Sequence, residues 1–142
     1  MTRPKLRHDD RGSVSLELAI LAPAILLLLG ALVFAGRVQT SSAAVEQAAR
    51  AAARDASIAR TADVARSTAL ASAQRELVGS HCASSAVVVD TAGFAAPVGT
   101  AAVIAVTVTC TVSLADLAIP GLPGSHTLTG RATSPIDSYR SR

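Results

Sequence analysis

Residues 18–36 read LAILAPAILLLLGALVFAG, from Leu18 to Gly36, with no charged side chain. At 1.5 Å per residue such a run approaches the thickness of a bilayer's hydrocarbon core, which takes about 20 helical residues. A helix in a soluble core is seldom apolar on every face for so long. The rival is a cleavable secretory signal, with an apolar region of about 7–15 residues ending at a small-x-small site. Here Arg37 and Val38 follow the run and a helical pattern continues beyond them. The stretch therefore predicts a transmembrane helix over residues 13–36 that stays in the chain.

Toward the N-terminus, residues 1–12 form a basic leader. Arg3, Lys5, Arg7 and Arg11 stand against Asp9 and Asp10, so 4 − 2 = +2. Only Arg37 is basic in the dozen residues after the span. The positive-inside bias then predicts a single-pass protein of the cell membrane, with a cytoplasmic N-terminus and an extracytoplasmic C-terminal domain. Glu17 sits at the mouth of the apolar run. A carboxylate next to hydrocarbon is a functional candidate by default, and the plain alternative is a hydrated charge at the interface. Pro23 and Gly30 lie inside the run. Pro23 removes one backbone donor and predicts a bend, and membrane helices tolerate both residues.

On the other side of the span, VQTSSAAVEQAARAAARDASIAR is rich in strong helix formers. Val38, Ala44, Val45, Ala48, Ala49, Ala52 and Ala56 recur on one helical face. Such small residues would let another helix approach closely, and the favoured expectation is that the stripe covers the chain's own sheet. Glu46 precedes Arg50 by four residues, the favoured order for a surface ion pair. Thr61 is a good N-cap and Asp63 suits a first turn, so a break near Ser57–Thr61 and a second helix to about Val78 are expected. Gly79 would then terminate that helix. Residues 37–78 thus form an extracytoplasmic helical region.

Beyond it the period changes to two. Ile104, Val106, Val108, Cys110, Val112 and Leu114 alternate with Ala105, Thr107, Thr109, Thr111 and Ser113, a strand signal. Val87–Asp90 is a shorter strand, and Thr127–Thr133 a third that Gly130 weakens. Residues 93–100 and 119–124 read as turn-rich connectors. The expected product is a small β domain over 79–134 with about three antiparallel strands and a helical cover. The tail 135–142 is expected to be flexible. The fold class is α+β: a long N-terminal helix, a second helix and a small sheet.

Cys82 and Cys110 are the only cysteines, and both fall outside the membrane in this topology. An even count in an oxidising compartment predicts one disulfide. His81 and His126 could complete a four-ligand metal set with them, but no CxxC or HxxxH spacing supports zinc, so no metal or other cofactor is expected.

Composition narrows the function classes. Hydrophobic residues make up 50% of the chain and aromatics 2%, so the core consists of small aliphatic side chains and buries little area per residue. Thirteen basic residues face ten acidic ones, yet outside the leader nine arginines face eight acids. No basic stripe with interleaved aromatics exists, which argues against nucleic acid as a partner. No GxSxG elbow, phosphate loop or metalloprotease helix occurs, and nothing in the spacing pairs Asp90, Asp116 and Asp137. The chain is not expected to be an enzyme.

The segment Arg11-Gly12-Ser13-Val14-Ser15-Leu16-Glu17-Leu18, followed by Ala19 to Pro23, resembles the start of a TadE-like pseudopilin. These are minor pilin-like proteins of tight-adherence (Flp-type) pilus systems. In the wider group a prepilin peptidase cuts after a Gly, and Glu is the fifth residue of the mature chain. Gly12, Ser13 and Glu17 match that spacing, and Pro23, six residues after the Glu, also resembles the family. Leu18 departs from tight-adherence pilins, which often carry an aromatic there. The resemblance implies processing between Gly12 and Ser13. It also implies an assembly role for Glu17, whose carboxylate would meet the Ser13 amine of a neighbour. The implied partners are the lipid bilayer, other pilin-like subunits, pilus assembly proteins and a prepilin peptidase. Two other readings are a membrane-tethered extracytoplasmic binding module unrelated to pili, and an exported enzyme for which no residues stand out.

Overall fold

The computed structural model describes residues 11–113 and 124–139, with side chains from Glu17 onward. The leader up to residue 10, Leu114, Asp116, most of the 119–124 connector and residues 140–142 lie outside the described residues. The elements are α1 (Arg11–Ser57), α2 (Ala62–Glu76), β1 (Cys82–Asp90), a short 3-10 helix (Ala92–Ala95), β2 (Ala102–Ser113) and β3 (Ser125–Ile136). The fold is α+β, and the chain divides after Ala35 into two compact units.

The first unit is helical. Among the described residues α1 is the one helix long and apolar enough to cross a membrane, and its apolar window is exposed throughout. Leu18, Ile20, Leu26, Leu27, Leu28 and Leu32 each keep more than half of their surface exposed. In water that surface would be strongly unfavourable, and in hydrocarbon it is at home. Pro23 lies inside the helix. Its missing N–H leaves the Ala19 carbonyl without its usual i+4 donor.

The second unit begins at Gly36. Its sheet is an antiparallel meander in the order β1-β2-β3. β2 is central, and every second residue from Ile104 to Val112 is buried while the intervening ones are half-exposed. The outer part of α1 buries Ser41, Val45, Ala48, Ala49, Ala52, Ala53 and Ala56, and α2 buries Ala65, Ala69, Ser72 and Ala73. The expected alanine stripe is therefore the cover of the chain's own sheet.

Gly130 shows how closely that cover lies. A Cβ added there would stand 2.6 Å from the Val45 carbonyl oxygen and 3.0 Å from the Glu46 nitrogen. Helix backbone rests directly on strand backbone, which only glycine permits. Further along, Ser134 Oγ donates to Ser57 Oγ at 3.0 Å, so α1 and β3 advance in the same direction.

Helix α2 starts as expected. Thr61 is its N-cap and accepts from the Val64 N–H, and Asp63 lies in the first turn. It ends at Glu76 with Leu77 as cap, two residues short of the expected Val78, and Gly79 turns the chain with φ +81°.

Strands β1 and β3 extend beyond expectation. β1 starts at Cys82 rather than Val87, because residues 82–86 pair with Val112 to Thr109 across a bulge between Cys82 and Ser84. CASSA carries little intrinsic strand preference, and its partner strand supplies the order. β3 runs through Gly130, which serves the helix contact instead of breaking the strand. It also continues to Ile136, so the first two residues of the expected tail, Pro135 and Ile136, are strand. Ile136 is buried, and Pro135 is tolerated because β3 is an edge strand.

Candidate functional site

The residues singled out in the sequence fall into two groups, one in each unit. Gly12, Ser13, Glu17 and Pro23 all lie on α1. Gly12 and Ser13 are helical in backbone, since α1 begins at Arg11. Five residues separate Gly12 from Glu17, a rise of about 7.5 Å. Ser13 and Glu17 are one turn apart and so share a face of the helix. The Glu17 side chain is exposed and has no ion-pair partner among the described residues. Among the described residues that carboxylate is thus unpaired, beside the uncharged stretch that starts at Leu18.

Cys82 and Cys110 form the second group. They are joined in a disulfide with a Cα–Cα distance of 5.4 Å. Cys110 is buried on the inner face of β2, and Cys82 is half-buried at the start of β1. The strand register places Ser85 opposite Cys110 and Cys82 opposite Val112, so the bulge brings the two sulfurs together. Both sulfurs being bonded to each other, the set His81, Cys82, Cys110 and His126 has no thiolate to offer a metal. His81 and His126 are exposed.

The acids that the sequence left unassigned have local roles. Asp90 Oδ1 accepts from the Ala92 N–H at 2.9 Å, and Asp137 Oδ1 accepts from the Tyr139 N–H at 2.9 Å. Both are side-chain turns that start a loop. Near Asp90 lies an open cavity of about 710 Å³ whose lining includes Arg60, Arg66 and Thr91. Two of its polar groups are engaged with each other, since Arg66 donates to Thr91 Oγ1 at 2.6 Å as well as to Asp63 at 2.8 Å.

One group escaped the sequence reading. Ser41, Glu76 and His81 line a cavity of about 350 Å³ that forms where the end of α2 meets α1. Ser41 Oγ is the one buried side-chain polar atom without a hydrogen-bond partner among the described residues. Nothing in the local sequence signals it, because Glu76 and His81 lie 35 and 40 positions after Ser41 and meet it only by folding.

Comparison with known proteins gives one match. The family described as TadE-like protein matches residues 12–54, which includes Gly12, Glu17, Pro23, the apolar run and most of the alanine stripe. No curated protein and no solved structure matches the chain.

Proposed function

We propose that this chain is a TadE-like minor pilin or pseudopilin. It acts in assembly of a tight-adherence (Flp-type) pilus or a related secretion apparatus, through helix packing and protein contacts and not through catalysis. The observation that carries the reading is the family match over residues 12–54, which starts at the Gly of the suspected cleavage site and spans the apolar run.

In this reading the apolar part of α1 holds the subunit in the bilayer until assembly and then packs sideways against other pilin-like subunits. A prepilin peptidase on the cytoplasmic face removes residues 1–12 and frees the Ser13 amine. The exposed Glu17 carboxylate then pairs with the Ser13 amine of a neighbour. Two opposite charges buried together fix the register, whereas a partnerless buried charge costs about 3–5 kcal/mol. A free subunit avoids that cost because Glu17 is exposed.

The test is the intact mass of protein purified from its own host's membranes. Wild type should lack residues 1–12, a bulky replacement at Gly12 should block the cut, and Glu17→Ala should be cut yet assemble poorly. An uncut wild-type chain beside an active peptidase would sink the processed-pilin reading and favour the tethered module. A cut chain that assembles equally well as Glu17→Ala would keep the family and remove the charge pair.

A further inference from the structure

We propose that copies of this chain join sheet edge to sheet edge, with β1 of one copy beside β3 of the next and Asp90 of the one meeting Arg131 of the other. The contact belongs to the second unit alone and depends neither on processing at Gly12 nor on Glu17.

Asp90 and Arg131 are the only Asp, Glu, Lys or Arg residues in the three strands. They stand on opposite edges of the sheet, Asp90 on β1 and Arg131 on β3. The register sets Asp90 opposite Ala105 and Arg131 opposite Thr107. Both partners belong to the half-exposed row of β2, so the two charges lie on the face turned away from the helices. Along the sheet their levels differ by two residues, about 7 Å. Both residues are exposed, and neither has an ion-pair partner among the described residues. Asp90 Oδ1 accepts from the Ala92 N–H, which leaves Oδ2 to accept from an arginine.

The edges themselves select a second copy. Among the described residues, neither β1 from Ala83 to Asp90 nor β3 makes a backbone–backbone hydrogen bond beyond the sheet ladder. Proteins commonly guard such an edge with a charge or a proline inside the strand. β1 has neither before Asp90, its last residue, and Val88 is 67% exposed. β3 carries Arg131 within the strand and Pro135 near its end. Joining two β1 edges, or two β3 edges, brings no opposite charges together. Only β1 against β3 does so. Both strands pair antiparallel to β2, so they run in the same direction. A neighbour displaced sideways by three strand spacings, about 14 Å, therefore continues the sheet with a parallel pair. Val88 then lies beside the aliphatic stem of Arg131, and Asp90 is the diagonal neighbour, within reach of so long a side chain. Pro135 lies beyond this pair and removes a single donor. Because the contact uses a different edge of each copy, it leaves one edge of each kind open for further copies.

The experiment follows self-association of the full chain in a non-ionic detergent by sedimentation velocity over a range of concentrations. Wild type should associate, and less so at about 1 M salt, where charges are screened beyond about 3 Å. Arg131→Glu and Asp90→Lys each set like charges against one another. Each should weaken association about fivefold to tenfold, since an attraction gives way to a repulsion of similar size. Mixing the two variants should restore it. Each reversed edge then meets its opposite charge on the other variant, and each unaltered edge meets an unaltered one. Rescue of this kind requires two folded chains and has no counterpart in a merely structural role. Asp90→Asn keeps the acceptor for Ala92 and removes only the charge, so it should bring association down to the high-salt value of wild type. Glu17→Ala should leave the rescue intact, so failure of the Glu17 pair and failure of this contact are read separately. A wild-type chain that does not associate at any concentration would overturn the proposal. So would charge-reversed variants that associate as tightly as wild type, or a mixture that does no better than its parts.

Discussion

Replacing Gly130 with alanine tests how α1 is seated on the sheet. The new Cβ would lie 2.6 Å from the Val45 carbonyl oxygen, 2.9 Å from its carbon and 3.0 Å from the Glu46 nitrogen. All three atoms belong to helix backbone and cannot rotate away, so α1 as a whole must lift by several tenths of an ångström. A gap of about 0.5–1 Å forfeits a quarter to a half of each dispersion contact beneath it. Overpacking of this kind costs about 1–3 kcal/mol. Against it stands the entropy that Gly→Ala removes from the unfolded chain, about 0.4–1 kcal/mol. The clash wins because a backbone obstacle puts the cost in the upper part of its range, which leaves roughly 1.5 kcal/mol of net destabilisation. For a unit of about 100 residues that lowers the melting temperature by about 6–12 °C. The assay is thermal unfolding of the full chain in detergent, disulfide intact, followed by circular dichroism. Gly124→Ala is the control, since a Cβ there meets nothing within 4 Å. A Gly130→Ala protein that melts with or above wild type would refute the claim that backbone contact sets the helix position.

Two further predictions concern the second unit and its placement. Reducing the Cys82–Cys110 bond, or replacing both cysteines with serine, frees a 28-residue separation. The chain-entropy estimate for that loop is about 3.5 kcal/mol, so the urea midpoint should fall markedly, and an unmoved midpoint would deny the bond a stabilising role. A reporter that is active only outside the cytoplasm, fused after Arg142, should be active, because the basic residues cluster before the span. An expressed but silent fusion would reverse the orientation.

How much of this was legible beforehand depended on whether the information was local. The span could be read because all its residues say the same thing, and β2 because its alternation from Ile104 to Val112 is unbroken. The start of helix α2 was equally plain in Thr61 and Asp63. The disulfide followed from counting two cysteines. By contrast, Cys82–Ala86 becomes strand through pairing with β2, and Ile136 is ordered by burial, neither of which is written in the local residues. Gly130 was placed in the third strand but its helix contact was not foreseen, because a glycine in a strand has two meanings. It weakens the strand by itself, and it admits another backbone when a helix lies above it. The reading of Gly12, Glu17 and Pro23 as a set rests on resemblance to a family, since spacing alone leaves Glu17 as a charge at an interface. The Ser41 cavity had no sequence signal, because its walls come from segments 35 residues apart.

The same scarcity of bulky side chains that limits the core also explains how it is built. Alanine buries little area, so each contact contributes little by transfer from water. What alanine and glycine offer instead is proximity: a helix can lie with its backbone against a strand, as at Val45 and Gly130, and many weak contacts accumulate over a long seam. On the α1 side the seam has little redundancy, since Val45 is the largest side chain that the helix buries among the described residues. That places the burden of stability on the disulfide at one end of the sheet and on strict small-residue identity along α1. A unit held in this way is suited to a fixed role as the support of the outer part of α1. Within the second unit, the sheet and α2 bury the outer part of α1 from Ser41 to Ala56.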